Sequence, residues 1–379
     1  MIPLSLPNIS GNEWKYVKDC LDTGWISSVG SYVIQFEETV AQFVGAKYGI
    51  AAMNGSAAIH LALQLVGVNR DDLVIVPNIT FVASCNAISY TGAKPLLVDI
   101  DGDTWQMDLD LLEEFLTNET YCDQDKEGNT RSFLKSTNER IGAILPVHVL
   151  GNMCDMDRLM AIAIKYYLPV VEDSTEALGS TYKGRGAGTF GTFGTFSFNG
   201  NKLISTGGGG VIVTDDEVLA KRTKHFTTQA KIDPFEYDHD EIGYNYRLVN
   251  ILAAVGVAQM EQLPTFLERK KQIDQYYREN LESDNLKFQK VTEGVVPNNW
   301  LHTMKVSQQR PMIKHLLDNG VQCRPFWVPM NQLKMYKDCH YVSHHDVSDT
   351  VYKSCISIPS STGLTDEQVA EVVRVIHAF

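Results

Sequence analysis

From residue 54 to about 214, short apolar runs alternate with stretches whose apolar positions recur every three to four residues. Runs too short for a helix, rich in β-branched or aromatic side chains and bounded by turn residues, predict buried strands. Six stand out: 72–78 (DLVIVPN), 94–100 (KPLLVDI), 141–149 (IGAILPVHV), 168–174 (LPVVEDS), 192–198 (TFGTFSF) and 209–215 (GGVIVTD). Between them the helical period returns over 56–66, where Ala57, Leu61 and Leu65 share a face, and over 155–167. Strands alternating with crossover helices predict an α/β fold with a mixed, mostly parallel sheet covered by helices.

After about residue 245 the texture changes to a long helical pattern beginning VNILAAVG, interrupted at Pro264. Short strands follow, then a final helix whose opening Thr365-Asp366-Glu367 supplies a cap. This predicts a large domain over 1–245 and a smaller C-terminal α+β domain over 246–379. The polar insert 118–140 reads as a surface loop.

Composition narrows the function classes. A chain of 379 residues has room for two cores. No apolar run approaches the ~20 residues of a membrane span, and no basic-then-apolar start resembles a signal peptide, so a soluble, cytoplasmic protein with no membrane partner is expected. The formal charge of −13, without a dense Lys/Arg stripe, argues against a nucleic-acid partner. Seven scattered cysteines, never spaced Cys-x-x-Cys, argue against a disulfide framework and a zinc site. His340, His344 and His345 near Asp346 read as a solvated loop, and no metal is expected.

In open α/β sheets ligands bind beyond the carboxyl ends of strands, which directs attention to four stretches. NGSAAIHLAL (54–63) is a turn opening into a helix; it offers N–H groups and a positive dipole end to an anion, although an ordinary N-cap has the same pattern. VVEDSTE places Glu172 and Asp173 at a buried strand end, where a carboxylate needs a protonated ring nitrogen or a structural ion partner. Phe81, just past a strand, suits either a flat ring or the core. Lys202, in SFNGNKLIST before Gly207 to Gly210, is an amine that becomes nucleophilic once burial lowers its pKa, and Ser197 precedes it on the strand.

Other motifs fail on context. GAGTFG (186–191) follows a loop and precedes a strand, the reverse of a dinucleotide fingerprint. Neither Gly-Lys-Ser/Thr nor Gly-x-Ser-x-Gly occurs.

A phosphate-binding turn, a stacking aromatic, a strand-end aspartate and a lysine are, in this order, the parts of a pyridoxal phosphate site in fold-type I aminotransferases. The blocks PNITFVASCNAISYTGAKPLLVDID, PVHVLGNMCDMDRL, VEDSTEALGS, SFNGNKLISTGGGG and HDEIGYNYRLVNILAAVGVAQ resemble those of the DegT/DnrJ/StrS family of nucleotide-sugar aminotransferases. The likeness runs from GWISSVG (24–30) to IPSSTGLTDEQV (358–369). It implies that Lys202 bonds the cofactor's aldehyde carbon, Asp173 pairs with the pyridine nitrogen and Phe81 stacks on the ring. Ser56, Ala57 and Ser197 take phosphate-contacting positions. Asn245, in GYNYR, corresponds to an asparagine that reaches the phosphate in the neighbouring subunit, which implies a homodimer with shared sites. Arg247 and Arg324 lie in blocks that approach the substrate.

Glu176 departs from the family's usual glutamine near the cofactor's ring hydroxyl, and is expected to be protonated or turned away. Lys202, where dehydratases of the family carry histidine, favours transamination. The implied partners are a nucleotide sugar and L-glutamate. GWISSVG and FSFNGNK most resemble relatives of the bacillosamine and legionaminic-acid branch, which aminate UDP-linked 4-keto-6-deoxy-N-acetylglucosamine. GDP-linked 4-keto-6-deoxymannose is the alternative sugar, and a cofactor-binding regulator without turnover is the alternative class.

Overall fold

The computed structural model describes residues 1–233 and 235–379. Helices α1 (Glu13–Thr23) and α2 (Ser31–Val44) lead into β1 (Tyr48–Ala52) and α3 (Gly55–Leu65). Next come β2 (Leu73–Pro77), α4 (Ala83–Tyr90), β3 (Lys94–Val98), α5 (Leu109–Glu119), β4 (Thr120–Gln124), β5 (Thr130–Leu134), β6 (Arg140–Ile144) and α6 (Met156–Lys165). They are followed by β7 (Val171–Asp173), the two-residue strands β8 (Thr181–Tyr182) and β9 (Arg185–Gly186), β10 (Phe193–Ser197), β11 (Gly210–Thr214) and α7 (Glu217–Thr227).

β2 pairs in parallel with β3 and β6, and β7 pairs in parallel with β10. Parallel bridges Ile144↔Val170 and Val147↔Asp173 join these halves into one sheet. β11 runs antiparallel between β10 and β1. The sheet is therefore mixed and mostly parallel, as the strand–helix alternation predicts. β2 and β11 are buried at all five positions, which explains why they read as unbroken apolar runs instead of alternating ones.

Two local expectations are corrected. The polar insert 118–140 is not a plain loop, because β4 and β5 form an antiparallel hairpin that pairs with the start of β6. Of β5 only Ser132 and Leu134 are buried, so its alternation is hidden by polar neighbours. The other concerns Pro264. Helix α8 (Asn250–Leu281) passes through it without a break, with the buried Leu263 and Phe266 gripping the core on either side. A proline in a helix costs about 3 kcal/mol; a 32-residue helix packed along α1 and α2 absorbs it.

Beyond α8 the chain forms β12 (Leu286–Phe288), β13 (Val295–Val296), β14 (His302–Val306), α9 (Gln309–Asp318), β15 (Arg324–Pro325), β16 (Tyr341–Val342), α10 (Val347–Ser354), β17 (Cys355–Ile358) and α11 (Asp366–His377). A second sheet, in the order β12-β14-β17-β15, packs with α8, α9 and α11 around Ile273, Tyr277, Met304, Leu316, Ile356 and Val372. Thr365 and Gln368 close a reciprocal capping box at the start of α11. Part of this C-terminal chain returns to the first sheet: β16 pairs with β3, and Phe326, Met330 and Tyr336 enter the core around β2. That lacing brings the end of β15 to the carboxyl ends of the central strands. Among the described residues no helix is long and apolar enough to cross a membrane.

Candidate functional site

A cavity of about 330 Å³ opens where β1, β2, β7 and β10 end, with the 300–327 region forming its far wall. Asn54, after β1, caps α3 by accepting the Ala57 N–H at 2.8 Å. Gly55 and Ser56 then face the cavity, their N–H groups at the positive end of the helix, and the Ser56 and Ser197 side chains share that wall. A Cβ on Gly55 would fall 2.8 Å from Ser197 Cβ, and one on Gly210 only 2.6 Å from the Asn54 carbonyl oxygen. Only glycine at both positions lets the helix start sit this close to β10 and β11.

Of the two strand-end carboxylates only Asp173 serves the cavity. Successive strand residues face opposite ways, and Glu172 points to the other side. There it accepts His148 Nε2 at 2.9 Å and the N–H groups of Gly188, Phe190 and Gly191 at 2.9, 2.6 and 2.7 Å. GAGTFG is thus a turn wrapped on Glu172. Asp173 accepts the Ser84 hydroxyl at 2.6 Å and the Thr175 N–H at 3.2 Å, and the Thr80 hydroxyl lies 2.8 Å from that of Ser84. Phe81 is 54% exposed and lines the cavity, its ring 6.4 Å from that of Trp327 in an edge-on arrangement, so it is not a core residue.

Lys202 stands on the loop between β10 and β11, closed by Phe198 N–H to the Gly209 carbonyl at 2.9 Å and Thr206 N–H to the Phe198 carbonyl at 3.0 Å. Its Nζ lies 3.8 Å from Glu176 Oε1 and 4.3 Å from the centroid of the Trp300 ring. Burial pulls the amine below the usual lysine range, with Glu176 and Asp173 opposing that shift. Glu176 is pushed up to about 7, chiefly by burial and further by Asp173, against the stabilising effects of Lys202 and the Leu150 N–H. That N–H reaches Glu176 Oε2 at 2.9 Å. Glu176 is therefore not turned away: burial favours the neutral form of both partners.

Ser56, Phe81, Asp173, Glu176, Ser197, Lys202 and Arg324 all line this one cavity. Arg324 Nη1 donates to the Cys323 carbonyl at 2.8 Å. Three other residues implied by the family resemblance lie elsewhere. Ala57 is buried with its N–H held by Asn54, which leaves an anion to Gly55 and Ser56. Arg247, whose block the resemblance places near the substrate, is buried and does not line this cavity of its own chain. Both of its terminal nitrogens are bound to Glu37, Nη2 at 3.2 Å from Oε2, and β1 covers them. Asn245 is exposed and outside the cavity of its own chain.

Sequence reasoning missed Ser84, Trp300 and Trp327. Ser84 carries a faint signal, a hydroxyl one helical turn after Thr80. Trp300 and Trp327 reach the cavity through long-range packing and carry no local signal.

This set of groups suits a planar, phosphorylated, aldehyde-bearing heterocycle. The helix start and two hydroxyls meet a phosphate, Phe81 offers a face, Asp173 meets a ring cation, and Lys202 is an amine of depressed basicity beside them.

Comparison with known proteins agrees with this chemistry. Residues 7–377 match the profile of the DegT/DnrJ/EryC1/StrS aminotransferase family. The chain is 39% identical over 381 residues to GDP-perosamine synthase of Escherichia coli O157:H7, covering 100% of this chain and 98% of that protein. It is 34% identical over 389 residues to GDP-perosamine synthase of Caulobacter vibrioides, covering 100% and 97%. Among solved structures, Spr1654 from Streptococcus pneumoniae in a PLP form is similar with a TM-score of 0.87 at 27% identity, covering 100% of this chain and 98% of that one.

Proposed function

The chain belongs to the DegT/DnrJ/EryC1/StrS aminotransferase family, and from that premise we propose that it transfers the amino group of L-glutamate to C4 of GDP-linked 4-keto-6-deoxymannose. It is a pyridoxal phosphate-dependent aminotransferase of nucleotide sugars. The observation that carries the reading is Lys202, a largely buried amine of lowered basicity, in one cavity with Asp173, Phe81 and the start of α3. The two GDP-perosamine synthases named above favour the GDP-linked sugar over UDP-linked 4-keto-6-deoxy-N-acetylglucosamine, which GWISSVG and FSFNGNK suggest.

When bound, the cofactor supplies the electron sink that lets nitrogen pass from an amino acid to a ketone. The chain's residues do the rest. Gly55, Ser56 and Ser197 would hold the phosphate; Asp173, oriented by Ser84, would keep a proton on the ring nitrogen, and Phe81 would cover one face of the ring. Lys202 would hold the cofactor through its amine and serve as the base that takes and returns the proton, with Glu176 as its neighbour. Arg324 meets an anionic group of the substrate. In this reading residues 1–245 bind the cofactor and residues 246–379 bring Trp300 and Arg324 to the substrate side.

The working unit is a cytoplasmic homodimer in which Asn245 of each chain serves the other's phosphate. Its exposure away from its own cavity supports this, as do the exposed Trp14, Trp25, Val29 and Ile242, apolar surface of the kind that mediates association. The test is a turnover assay with L-glutamate and a panel of GDP- and UDP-linked 4-keto-6-deoxy sugars, read by mass spectrometry of the sugar product. Amination of the GDP-linked mannose derivative is expected. Amination of UDP-linked sugars alone would overturn the sugar assignment, and no product from any ketosugar would favour the regulator.

A further inference from the structure

Lys270 has no part in that chemistry, yet it is a buried lysine close behind the cavity wall. It stands on α8 with 3% of its surface exposed. Its Nζ donates to two backbone carbonyls, that of Trp300 at 2.7 Å and that of Ser360. Asp274, four residues along α8, is held by Arg278 Nε at 2.9 Å. Burial pulls Lys270 down to about 7. A lysine kept dry with only neutral acceptors is an expensive way to fill a core, which asks for a reason beyond packing.

Its two acceptors supply one. Trp300 stands just before β14 and Ser360 just after β17, and these strands pair with His302 opposite Ile358. Lys270 therefore ties together the two chain ends that leave this pair toward the cavity. Trp300 is fixed on its other sides as well. Its N–H donates to Asn298 Oδ1 at 3.0 Å, and the Asn298 amide in turn donates to the Glu176 carbonyl at 2.8 Å. Asn299 between them takes the left-handed φ of 53°. The indole N–H donates to the Asn201 carbonyl at 2.7 Å, one residue before Lys202, and the ring lies 4.3 Å from Lys202 Nζ.

We propose that Lys270 is a positioning residue for Lys202, acting through Trp300: it clamps the Trp300 backbone so that the indole walls the reactive amine off from water. The inference rests on reading Lys202 as that amine. Lys202's lowered basicity comes first from burial, and Trp300 is part of what buries it.

The test uses the protein without cofactor and labels its amines with acetic anhydride at about pH 7.5 under limiting reagent. Acetylation of Lys202 is read by peptide mass spectrometry relative to the exposed Lys126. In Lys270→Met the freed indole admits water, Lys202 becomes more fully protonated, and its acetylation falls about threefold or more. Trp300→Ala produces the same loss. Adding Lys270→Met to Trp300→Ala changes it by less than about 1.5-fold, because the connection has already been cut.

Labelling unchanged in Lys270→Met, or full multiplication of the two effects, would overturn the proposal. If Lys270→Met does not fold, Trp300→Phe keeps the clamp and a ring but loses the N–H to Asn201. It should lower labelling about twofold, and an unchanged value there also overturns the proposal. The labelling needs no cofactor, so its outcome is separable from failure of the aminotransferase reading, which borohydride reduction of the loaded protein and mapping of the adduct would reveal.

Discussion

Replacing Glu176 with glutamine keeps the shape of the side chain and removes its titration. The Glu176 carboxyl titrates at about 7 in the folded chain against 4.5 for an unperturbed one, chiefly because it is buried. The folded state therefore holds this proton more tightly than the unfolded state. Its contribution to stability is fully present below pH 4.5 and is lost as pH rises to 7. At about 1.36 kcal/mol per pKa unit the loss above pH 7 is about 3 kcal/mol. This is a ceiling, since in the variant Lys202 loses the attraction of the carboxylate and gives part of the gain back.

Spread over an unfolding entropy of about 2.1 cal/mol/K per residue, it corresponds to about 4 °C in Tm. Thermal unfolding of cofactor-free wild type and Glu176→Gln, at matched ionic strength and scan rate, checks the sign directly. The two should melt within about 1 °C of each other at about pH 5, and the variant should melt up to about 4 °C higher at about pH 8. A difference that stays constant across pH, or a variant less stable at the alkaline end, would show that Glu176 is an ordinary ionised partner of Lys202.

Three further outcomes follow from the geometry. Asp173→Asn leaves the Ser84 and Thr175 donors an acceptor but removes the charge; losing a charge-assisted contact of ~1.5–3 kcal/mol should slow each half-reaction about tenfold or more in stopped-flow absorbance, and unaltered rates would make Asp173 structural. Gly210→Ala puts a Cβ 2.6 Å from the Asn54 carbonyl oxygen. It should lower Tm and weaken cofactor affinity together, measured by thermal unfolding and equilibrium dialysis, because the phosphate-binding end of α3 must shift. Mixing and refolding inactive Lys202→Ala with inactive Asn245→Ala chains should restore activity if sites are shared across a dimer, whereas a dead, verified hybrid would place each site within one chain.

What the sequence conveys depends on how local its cause is. The six nominated strands are found within a few residues, because strands buried on both faces must be apolar throughout. β1 (YGIAA) carries too little apolar bulk to be noticed, and β5 hides its two buried positions among polar ones. The same distinction governs the cavity. Asp173, Lys202, Phe81 and Ser56 each sit at or just beyond a strand end, a position visible in the pattern, and all line one cavity.

Periodicity alone does not separate Glu172 from Asp173; the partners do, and Glu172's partners are the backbone of a turn more than a dozen residues away. Arg247 looks equally available in a Tyr/Asn/Arg cluster, but the carboxylate that claims it, Glu37, lies on a helix far upstream. Trp300 and Lys270 owe their place to the pairing of β14 with β17 beneath α8, a relation no local signal carries.

The central claim is that this chain moves nitrogen to a nucleotide-linked ketosugar through Lys202. The most direct measurement supplies isotopically labelled L-glutamate and GDP-linked 4-keto-6-deoxymannose to cofactor-loaded wild type and to Lys202→Ala, and follows label in both products by mass spectrometry. The account predicts labelled 4-amino sugar and 2-oxoglutarate in equal amounts from the wild type and no turnover from a folded Lys202→Ala. Label transfer by Lys202→Ala at the wild-type rate, or glutamate consumed by the wild type without label entering any sugar, would contradict it.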